Sequence, residues 1–573
     1  MYENISTPKK VCVIGAGLSG LVTIKELLSQ GIQVKCYEAQ TGIGGAFRDV
    51  GEGGRSYDSI ELTVSNFFMA FSDYPPGLSE KRRYWTAREY RNYLHRYAKH
   101  FHLLPHIFLS HEVVSAEIHQ GRVMVKVAGP SQEFSEFFDH LVICSGNNFL
   151  PKYPEYARDP IFKGEILHSS QYKNAEPFKG KKVLCIGMGE SGADTVHEIS
   201  QVASCYVLVR DKPNVVPRWI NHFTNDSYTT YCFYEMGKNG LDRFMKFKAW
   251  YYLNFDTKLS KEERLIQQWI YDRNSFIGKF LTKNDIFIED IVSGRLQFLE
   301  GEVKRLLPDG IITDKDEKVE ADVLLFNTGY RTCFRQFRFG KDFSNPRHLF
   351  KHMLHPEYQT LVSLVGWARP TQGGVPACSE MQARYLALLI TGKKALPEKS
   401  VMYHAIQKDK QYAEYYFSDS KNIESLVNYH DFMPDMAKLI GCKTKFFYPE
   451  NLLLTFKMYF GSHLPAFYRL TDPNPEIRRK SIEVIQSLPI AYSLRRVAAI
   501  LFFTILFRVP ELLGLYIKKA LYPFLFSTER HELEMGRKYL PRKTGNQKNK
   551  DTEKKALPTS TDMTFLNVRK SQE

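Results

Sequence analysis

No two cysteines in this 573-residue chain stand in a C-x-x-C pair. The nine are Cys12, Cys36, Cys144, Cys185, Cys205, Cys232, Cys333, Cys378 and Cys442, an odd, scattered set with several members inside apolar runs. That pattern argues against a disulfide scaffold, a zinc site or a dithiol reductase, and for a reducing compartment. A long apolar run is also missing. Val497 to Phe507 is charge-free, but Arg508, Pro510 and Glu511 break it well short of the about 20 residues a spanning helix needs. No secretory leader is read, because the first apolar run, Val11 to Ile14, leads straight into a glycine-rich turn; the body is expected to face the cytosol. The net charge is +15, yet no zinc-finger, basic-zipper or RNP-type motif accompanies it, so nucleic acid is not an expected partner.

Apolar content of 43% and charged content of 25% are ordinary for a globular chain long enough for two or more cores. Residues 536–573 are Lys-rich and poor in apolar side chains and read as a disordered basic tail. The positive charge left in the body suits phosphate-bearing ligands and an anionic membrane face.

The N-terminal half alternates short apolar runs with helical periodicity, the pattern of an α/β fold with a parallel sheet. Val11-Cys12-Val13-Ile14 reads as a buried strand, Leu18 to Gln30 as a helix and Gln33 to Tyr37 as a second strand. Between the first two lies Gly15-Ala16-Gly17-Leu18-Ser19-Gly20, with Glu38 after the third. Gly15, Gly17 and Gly20 allow a tight turn and close approach of a pyrophosphate to a helix N-terminus. Glu38 can accept from ribose hydroxyls and repels a 2′-phosphate, which favours FAD or NAD over NADP here. Gly44-Gly45-Ala46-Phe47 supplies a second turn suited to the flavin's ribityl–phosphate region, with Gly44, Gly45 and Phe47 as its candidate contacts.

The unit recurs. Gly187-Met188-Gly189-Glu190-Ser191-Gly192 sits between the strand Val183 to Ile186 and a helix, with Gly187, Gly189, Ser191 and Gly192 as candidate phosphate contacts. Its following strand ends in Arg210, with Lys212 and Arg218 nearby, where an NAD site places an acid. A guanidinium there pairs with a 2′-phosphate, which favours NADP. Two cradles in one chain imply hydride transfer from nicotinamide to flavin. With no cysteine pair to receive the electrons, molecular oxygen becomes the acceptor.

Residues 219–290 are aromatic-rich, basic and read as a helical insertion, whose aromatics either pack its own core or wall a substrate path. The run Val497 to Phe507, flanked by Arg495, Arg496 and Arg508 and continued to Lys519, reads as an anchor lying in a membrane interface, the alternative being a buried core helix.

Between the cradles, Phe162-Lys163-Gly164-Glu165-Ile166-Leu167-His168-Ser169-Ser170-Gln171-Tyr172 resembles the F-x-G-x-x-x-H-x-x-x-Y fingerprint of flavin-containing monooxygenases of the microsomal, dimethylaniline monooxygenase-like type. Cys144-Ser145-Gly146 with Pro151, Thr328-Gly329-Tyr330, Glu380-Met381-Gln382-Ala383-Arg384 and Tyr468-Arg469-Leu470-Thr471 resemble further family blocks, from about residue 10 to 530. The resemblance implies two Rossmann-like domains, the NADP domain inserted into the FAD domain. The expected boundaries are 1–175 and 326–450 for the two parts of the FAD domain and 176–325 for the NADP domain. A membrane-associated region follows at 451–535 and the tail at 536–573. It adds Thr328, Gly329 and Gln382 to the cofactor contacts, and reads His168 as a structural link rather than a proton shuttle. It places the protein on the cytosolic face of the endoplasmic reticulum membrane.

The mechanism it implies is NADPH reduction of FAD, formation of a flavin C4a-hydroperoxide with O2, and oxygen transfer to a small-molecule substrate with a soft amine nitrogen or sulfur. Family members use an Asn in a T-N-S-S-like stretch to hold that species. Aligned on Phe71-Ser72-Asp73-Tyr74-Pro75, the position falls here on Thr63, within Leu62-Thr63-Val64-Ser65-Asn66. Thr63 and Asn66 are therefore the candidate catalytic residues, with an ordinary capping role as the alternative for Asn66. The alternative activities are an NADPH oxidase releasing peroxide, a Baeyer–Villiger-type ketone oxygenation, and a dinucleotide-binding protein without turnover.

Overall fold

The computed structural model describes residues 9–48, 56–147, 150–332, 334, 336–420, 423–508 and 513. Two five-stranded parallel sheets organise them. In the first, the strand order is Val362–Leu364, His140–Ile143, Lys10–Ile14, Gln33–Tyr37, Ile107–Phe108. The central strands are continuous apolar runs because crossover segments cover both faces. The helix Leu18–Leu28 packs on this sheet through Leu21, Val22, Ile24 and Leu27, all fully buried. Each such side chain contributes about 1.5–3 kcal/mol of burial free energy. The edge strand Val362–Leu364 comes from far along the chain, so the first sheet is completed only after the second has been built.

The second sheet runs Glu165–His168, Val323–Phe326, Lys182–Ile186, Ser204–Val209, Leu296–Glu300. Glu165–His168 thus belongs to the second sheet, although the sequence boundary at 175 assigned it to the first domain. The fingerprint explains why. Phe162 is buried, and a side chain at Gly164 would lie 2.3 Å from the Asp322 carbonyl, so this strand can close only on Val323–Phe326. His168 is fully buried; its Nε2–H donates to the Gly329 carbonyl at 3.0 Å and its Nδ1 accepts from the Ser170 N–H at 3.1 Å. Tyr172 donates to Glu198. The two chain crossings between the sheets are held together by the antiparallel pair Leu150–Pro151 and Tyr330–Arg331.

The segment 219–290 contains the helices Gly237–Phe255 and Lys261–Asp272, packed through Leu241, Met245, Ala249, Ile266, Trp269 and Ile270. Its last part, Ile286–Ser293, packs on the helix Glu190–Ser200 as the crossover that feeds the strand Leu296–Glu300, so it belongs to the second parallel unit. Phe244 meets Phe233 and Phe247 meets Trp250 within the insertion, and both also look outward. They pack on Phe503 of the helix Leu494–Phe503. Within that helix Ile500 is buried, while Phe502, Ile505 and Leu506 are exposed along it and the turn that follows. Among the described residues no helix is long and apolar enough to cross a membrane. The continuation to Lys519 (Leu513 apart) and the basic tail lie outside the described residues.

All eight described cysteines are buried and unpaired; Cys333 lies outside the described residues. Burial pushes the Cys378 thiol well up, which makes it inert at neutral pH.

Candidate active site

Both glycine turns stand at the carboxyl ends of their central strands, the end at which open α/β sheets bind ligands. Gly15 has φ +96°, and its N–H bonds the Tyr37 carbonyl at 2.9 Å. A side chain on Gly20 would lie 1.8 Å from the Gly15 carbonyl oxygen, so the helix can start this close to the turn only with glycine there. The second turn closes over the first: Gly44 N–H donates to the Ala16 carbonyl at 3.0 Å, and a side chain on Gly45 would sit 3.1 Å from the Gly17 Cα. Phe47 is fixed edge-on to Tyr90. Glu38 is nearly buried, and its two carboxylate oxygens accept from the N–H groups of Ala16 (2.7 Å) and Gln40 (3.0 Å). The carboxylate is thereby anchored to the glycine turn with lone pairs left for diol hydroxyls. Gln382 lies one shell back, fully buried: it accepts from Gly366 N–H at 3.1 Å and donates to the Lys351 carbonyl at 2.9 Å.

The second cradle is built alike. Gly187 has φ +88°, and a side chain there would meet the Asn327 carbonyl at 3.0 Å. Gly189 has no atom within 4 Å of its would-be side chain and Ser191 is exposed, so this lip is open. The Asn327 side chain packs against Gly192, and both its Oδ1 and Nδ2 are buried without a hydrogen bond. An amide left unsatisfied beside an open glycine turn is what a site fitted to a polar dinucleotide should contain. Thr328 donates to the Lys152 carbonyl, and the Gly329 carbonyl receives His168 and Lys152 N–H. Both residues run beside the cradle but are engaged in the domain crossing.

Arg210 ends the strand Ser204–Val209. Its side chain is 52% exposed, with Glu302, itself 57% exposed, 3.7 Å away. A pair that exposed is worth little and leaves the guanidinium able to move to a phosphate. Lys212 stands near it, 3.7 Å from Asp272 and from Glu300. Arg218 does not join them. It is turned inward, 2.6 Å from Glu61 and 3.1 Å from Asp194.

Thr63 lies on the strand Glu61–Ser65, paired with Tyr84–Thr86 and stapled by the Ser65 N–H to the buried Asp226 at 2.6 Å. Arg82 reinforces the staple, 2.9 Å from Asp226. Asn66 begins the next helix and is fully buried. Its Nδ2 donates to Glu80 (3.2 Å) and the Lys81 carbonyl (3.1 Å), and its Oδ1 accepts from Phe67 N–H (3.1 Å) and Arg83 N–H (3.2 Å). An amide has two N–H groups and two oxygen lone pairs, and all are occupied. Asn66 is thereby held in place by four protein partners.

Arg218 spans the domain junction, pairing Glu61 of the Thr63 strand with Asp194 of the helix that begins at Glu190, the residue after Gly189. Lys283 Nζ lies 3.1 Å from the Glu190 carboxylate. Burial pushes the Glu190 pKa up, but Lys283, the nearby Arg369 guanidinium and the Thr63 hydroxyl outweigh it and hold the acid below its ordinary range. Phe280 underlies the group, with Lys283 5.0 Å and Arg369 4.2 Å from its ring centroid. Sequence reading missed Glu190, Lys283 and Arg369. Glu190 was a variable position inside a glycine motif, and nothing in the spacing of the other two marks them.

With this geometry in view, the comparisons are specific. A family model for flavin-binding monooxygenase-like proteins matches residues 8–485. The chain is 34% identical over 477 residues, 82% of its length and 90% of the relative's, to 4-hydroxybenzoate brominase (decarboxylating) of Marinomonas mediterranea. It is 29% identical over 504 residues, 81% of its length and 89% of the relative's, to dimethylaniline monooxygenase [N-oxide-forming] 2 of Oryctolagus cuniculus. Among solved structures, the OTEMO complex with FAD and NADP superposes with a TM-score of 0.51 at 16% identity, over 72% of this chain and 91% of that one, a likeness of fold. Two glycine cradles facing one junction and a match spanning most of the chain establish that this protein belongs to the flavin-binding monooxygenase-like family, as a monooxygenase whose cofactors are FAD and NADP(H).

Proposed function

We propose that the first cradle seats FAD through Gly15, Gly17, Gly20, Glu38, Gly44 and Gly45, and the second seats NADPH through Gly187, Gly189, Ser191, Gly192 and Arg210. The observation that carries this is Arg218, which pairs with Glu61 at 2.6 Å and Asp194 at 3.1 Å and so brings the first domain's candidate catalytic strand onto the second cradle's helix. Bound flavin, once reduced, supplies oxygen activation; the overall balance is substrate, O2, NADPH and a proton giving oxygenated substrate, NADP⁺ and water. The chain's own residues bind, orient and exclude solvent. Thr63 would offer a hydroxyl at the junction of the two cradles, and Glu190 fixes Lys283 beside it.

The substrate in this reading is a small nucleophile, an amine nitrogen or a sulfur, which the similarity to the dimethylaniline monooxygenase supports. A second reading, a phenolic acid, is supported by the brominase relative at 34% identity and by the two cations, Lys283 and Arg369, over the Phe280 ring. The test is NADPH consumption in the presence of amines, thioethers, ketones and phenolic acids, partitioned between oxygenated product and peroxide. Peroxide in equal amount to NADPH with every substrate would leave an oxidase.

We propose further that the exposed Phe502, Ile505 and Leu506, with Phe247, Trp250, Tyr251 and Phe255 of the insertion, rest on a lipid interface of the endoplasmic reticulum on its cytosolic side. Replacing Phe502, Ile505 and Leu506 with serine should reduce sedimentation with anionic vesicles. Unchanged sedimentation would refute the contact.

A further inference from the structure

Arg369 lies in a short strand, Arg369–Pro370, that pairs with Leu426–Val427, and its N–H donates to the Ser425 carbonyl at 2.7 Å. Three residues earlier, Gly366 (φ +101°) passes so close to the first cradle's helix that a side chain there would sit 2.2 Å from Ser19 Oγ. The chain thus runs from the FAD cradle directly to Arg369, whose side chain then faces Glu190 at the NADP cradle. The backbone is pinned at both ends.

The guanidinium carbon stands 4.2 Å from the Phe280 ring centroid, and among the described residues its N–H groups make no hydrogen bond to protein. Lys283, 6% exposed, shares the same ring and the same carboxylate. The next groups out are paired among themselves: Arg218 with Glu61 and Asp194, and Asp194 also with Asn284 at 2.6 Å. Among the described residues Glu190 is the acid that acts on Arg369, and it already pairs with Lys283. A shielded guanidinium with its planar fork of donors unused matches a planar two-oxygen acceptor. The pyrophosphates of the two dinucleotides are provided for at the helix N-termini.

We propose that Arg369, with Lys283 beside it, is the receptor for the carboxylate of the substrate, so that this enzyme selects small acids over their neutral analogues. This rests on the flavin reading of the preceding section and narrows its substrate class. A cationic fork there would hold the acid by its charged end and leave its electron-rich end unbound. Phe280, with cations on it, orients the fork.

The test uses the full-length, FAD-loaded protein with 4-hydroxybenzoate and 4-hydroxybenzamide as an acid and neutral pair, and 3-(methylthio)propionate with its amide as a second pair. Substrate-stimulated NADPH oxidation is measured for the wild type, Arg369→Gln and Arg369→Lys. The expected result is a wild-type preference for at least one acid over its amide. In Arg369→Gln the KM for that acid should rise about 10–100-fold, the loss of a charge-assisted pair, with KM for the amide and for NADPH within about twofold. Arg369→Lys, which keeps the charge without the fork, should fall between. Equal use of acid and amide by the wild type would overturn the assignment. So would a KM for NADPH that rises in step with that for the acid, which would give the guanidinium to a cofactor phosphate, or an effect seen only on the bromide dependence of turnover. Flavin that NADPH does not bleach even without substrate would instead sink the underlying flavin reading, and is scored separately.

Discussion

Lys283 stands 3.1 Å from Glu190 at the start of the second cradle's helix, and the Thr63 hydroxyl of the first unit helps it hold that carboxylate below its ordinary pKa range. This couples the strand read as catalytic to that helix, so substitutions on either side should affect how the two cofactors cooperate rather than whether they bind. Thr63→Ala should keep its flavin and its KM for NADPH within about threefold. The peroxide released per NADPH should rise several-fold, because the hydroxyl that helps hold Glu190 ionised is lost. Simultaneous assays of product and peroxide read this directly; an unchanged partition would remove Thr63 from the site.

Coenzyme preference should follow Arg210. Its pairing with Glu302 is too exposed to hold it in place, which leaves it able to meet the 2′-phosphate proposed for this cradle. Arg210→Ala should narrow the NADPH-to-NADH ratio in kcat/KM by about 10–100-fold, through KM for NADPH alone. A ratio that stays at its wild-type value would transfer the role to Lys212.

Gly20→Ala is the smallest change that should empty the first cradle. The added methyl lies 1.8 Å from the Gly15 carbonyl oxygen, and backbone cannot step aside as a side-chain tip can. Purified protein should be colourless or nearly so, with a lower melting temperature. Full flavin content would show that the turn tolerates a shift of the helix.

Arg469 is the largest buried electrostatic commitment in the fold. It meets Glu380 at 2.8 Å, Glu26 and Asp472 at 3.1 Å, Asp73 at 3.3 Å and Ser72 Oγ at 2.8 Å. It thereby ties the C-terminal block to the helices flanking the first cradle. Arg469→Met leaves several buried carboxylates short of a partner and should cost about 3–5 kcal/mol in denaturant unfolding. A loss below about 1 kcal/mol would mean that Lys25, ion-paired with Asp73 and with Glu26, can serve in its place.

His430 and His463 set an acid limit. Their Nδ1 atoms are 3.1 Å apart, and Tyr231, Tyr234, Tyr429 and Tyr468 surround them. Burial lowers the His430 pKa from 6.5 to about 3 and depresses His463 as well, to which the neighbouring His430 adds. The folded state therefore keeps neutral imidazoles where the unfolded chain would take up protons. Stability is fully present above about pH 6.5 and should fall as pH drops toward 3, each histidine adding about 1.4 kcal/mol per pH unit. Denaturant midpoints between pH 7 and 4.5 measure the slope, and His430→Gln should remove one histidine's share of it. A flat wild-type profile would contradict this.

Strand, turn and helix at each cradle, the helical insertion, and the chemistry of two dinucleotides were legible in the residues. They depend on contiguous patterns: apolar runs of strand length, glycine at fixed offsets, and an acid or a base at the end of the next strand. The fingerprint from Phe162 to Tyr172 was legible as a pattern, while the reason for it was not, since each of its members answers to a partner far along the chain: Asp322, Gly329, Glu198. Only the tertiary structure decided that Asn66 is bonded to Glu80, Lys81, Phe67 and Arg83, that Arg218 turns inward while Arg210 stays exposed, and that Lys283 and Arg369 converge on the Phe280 ring beside Glu190. Side-chain partners across a domain junction depend on how two sheets are set against each other. No local periodicity along the chain carries that geometry.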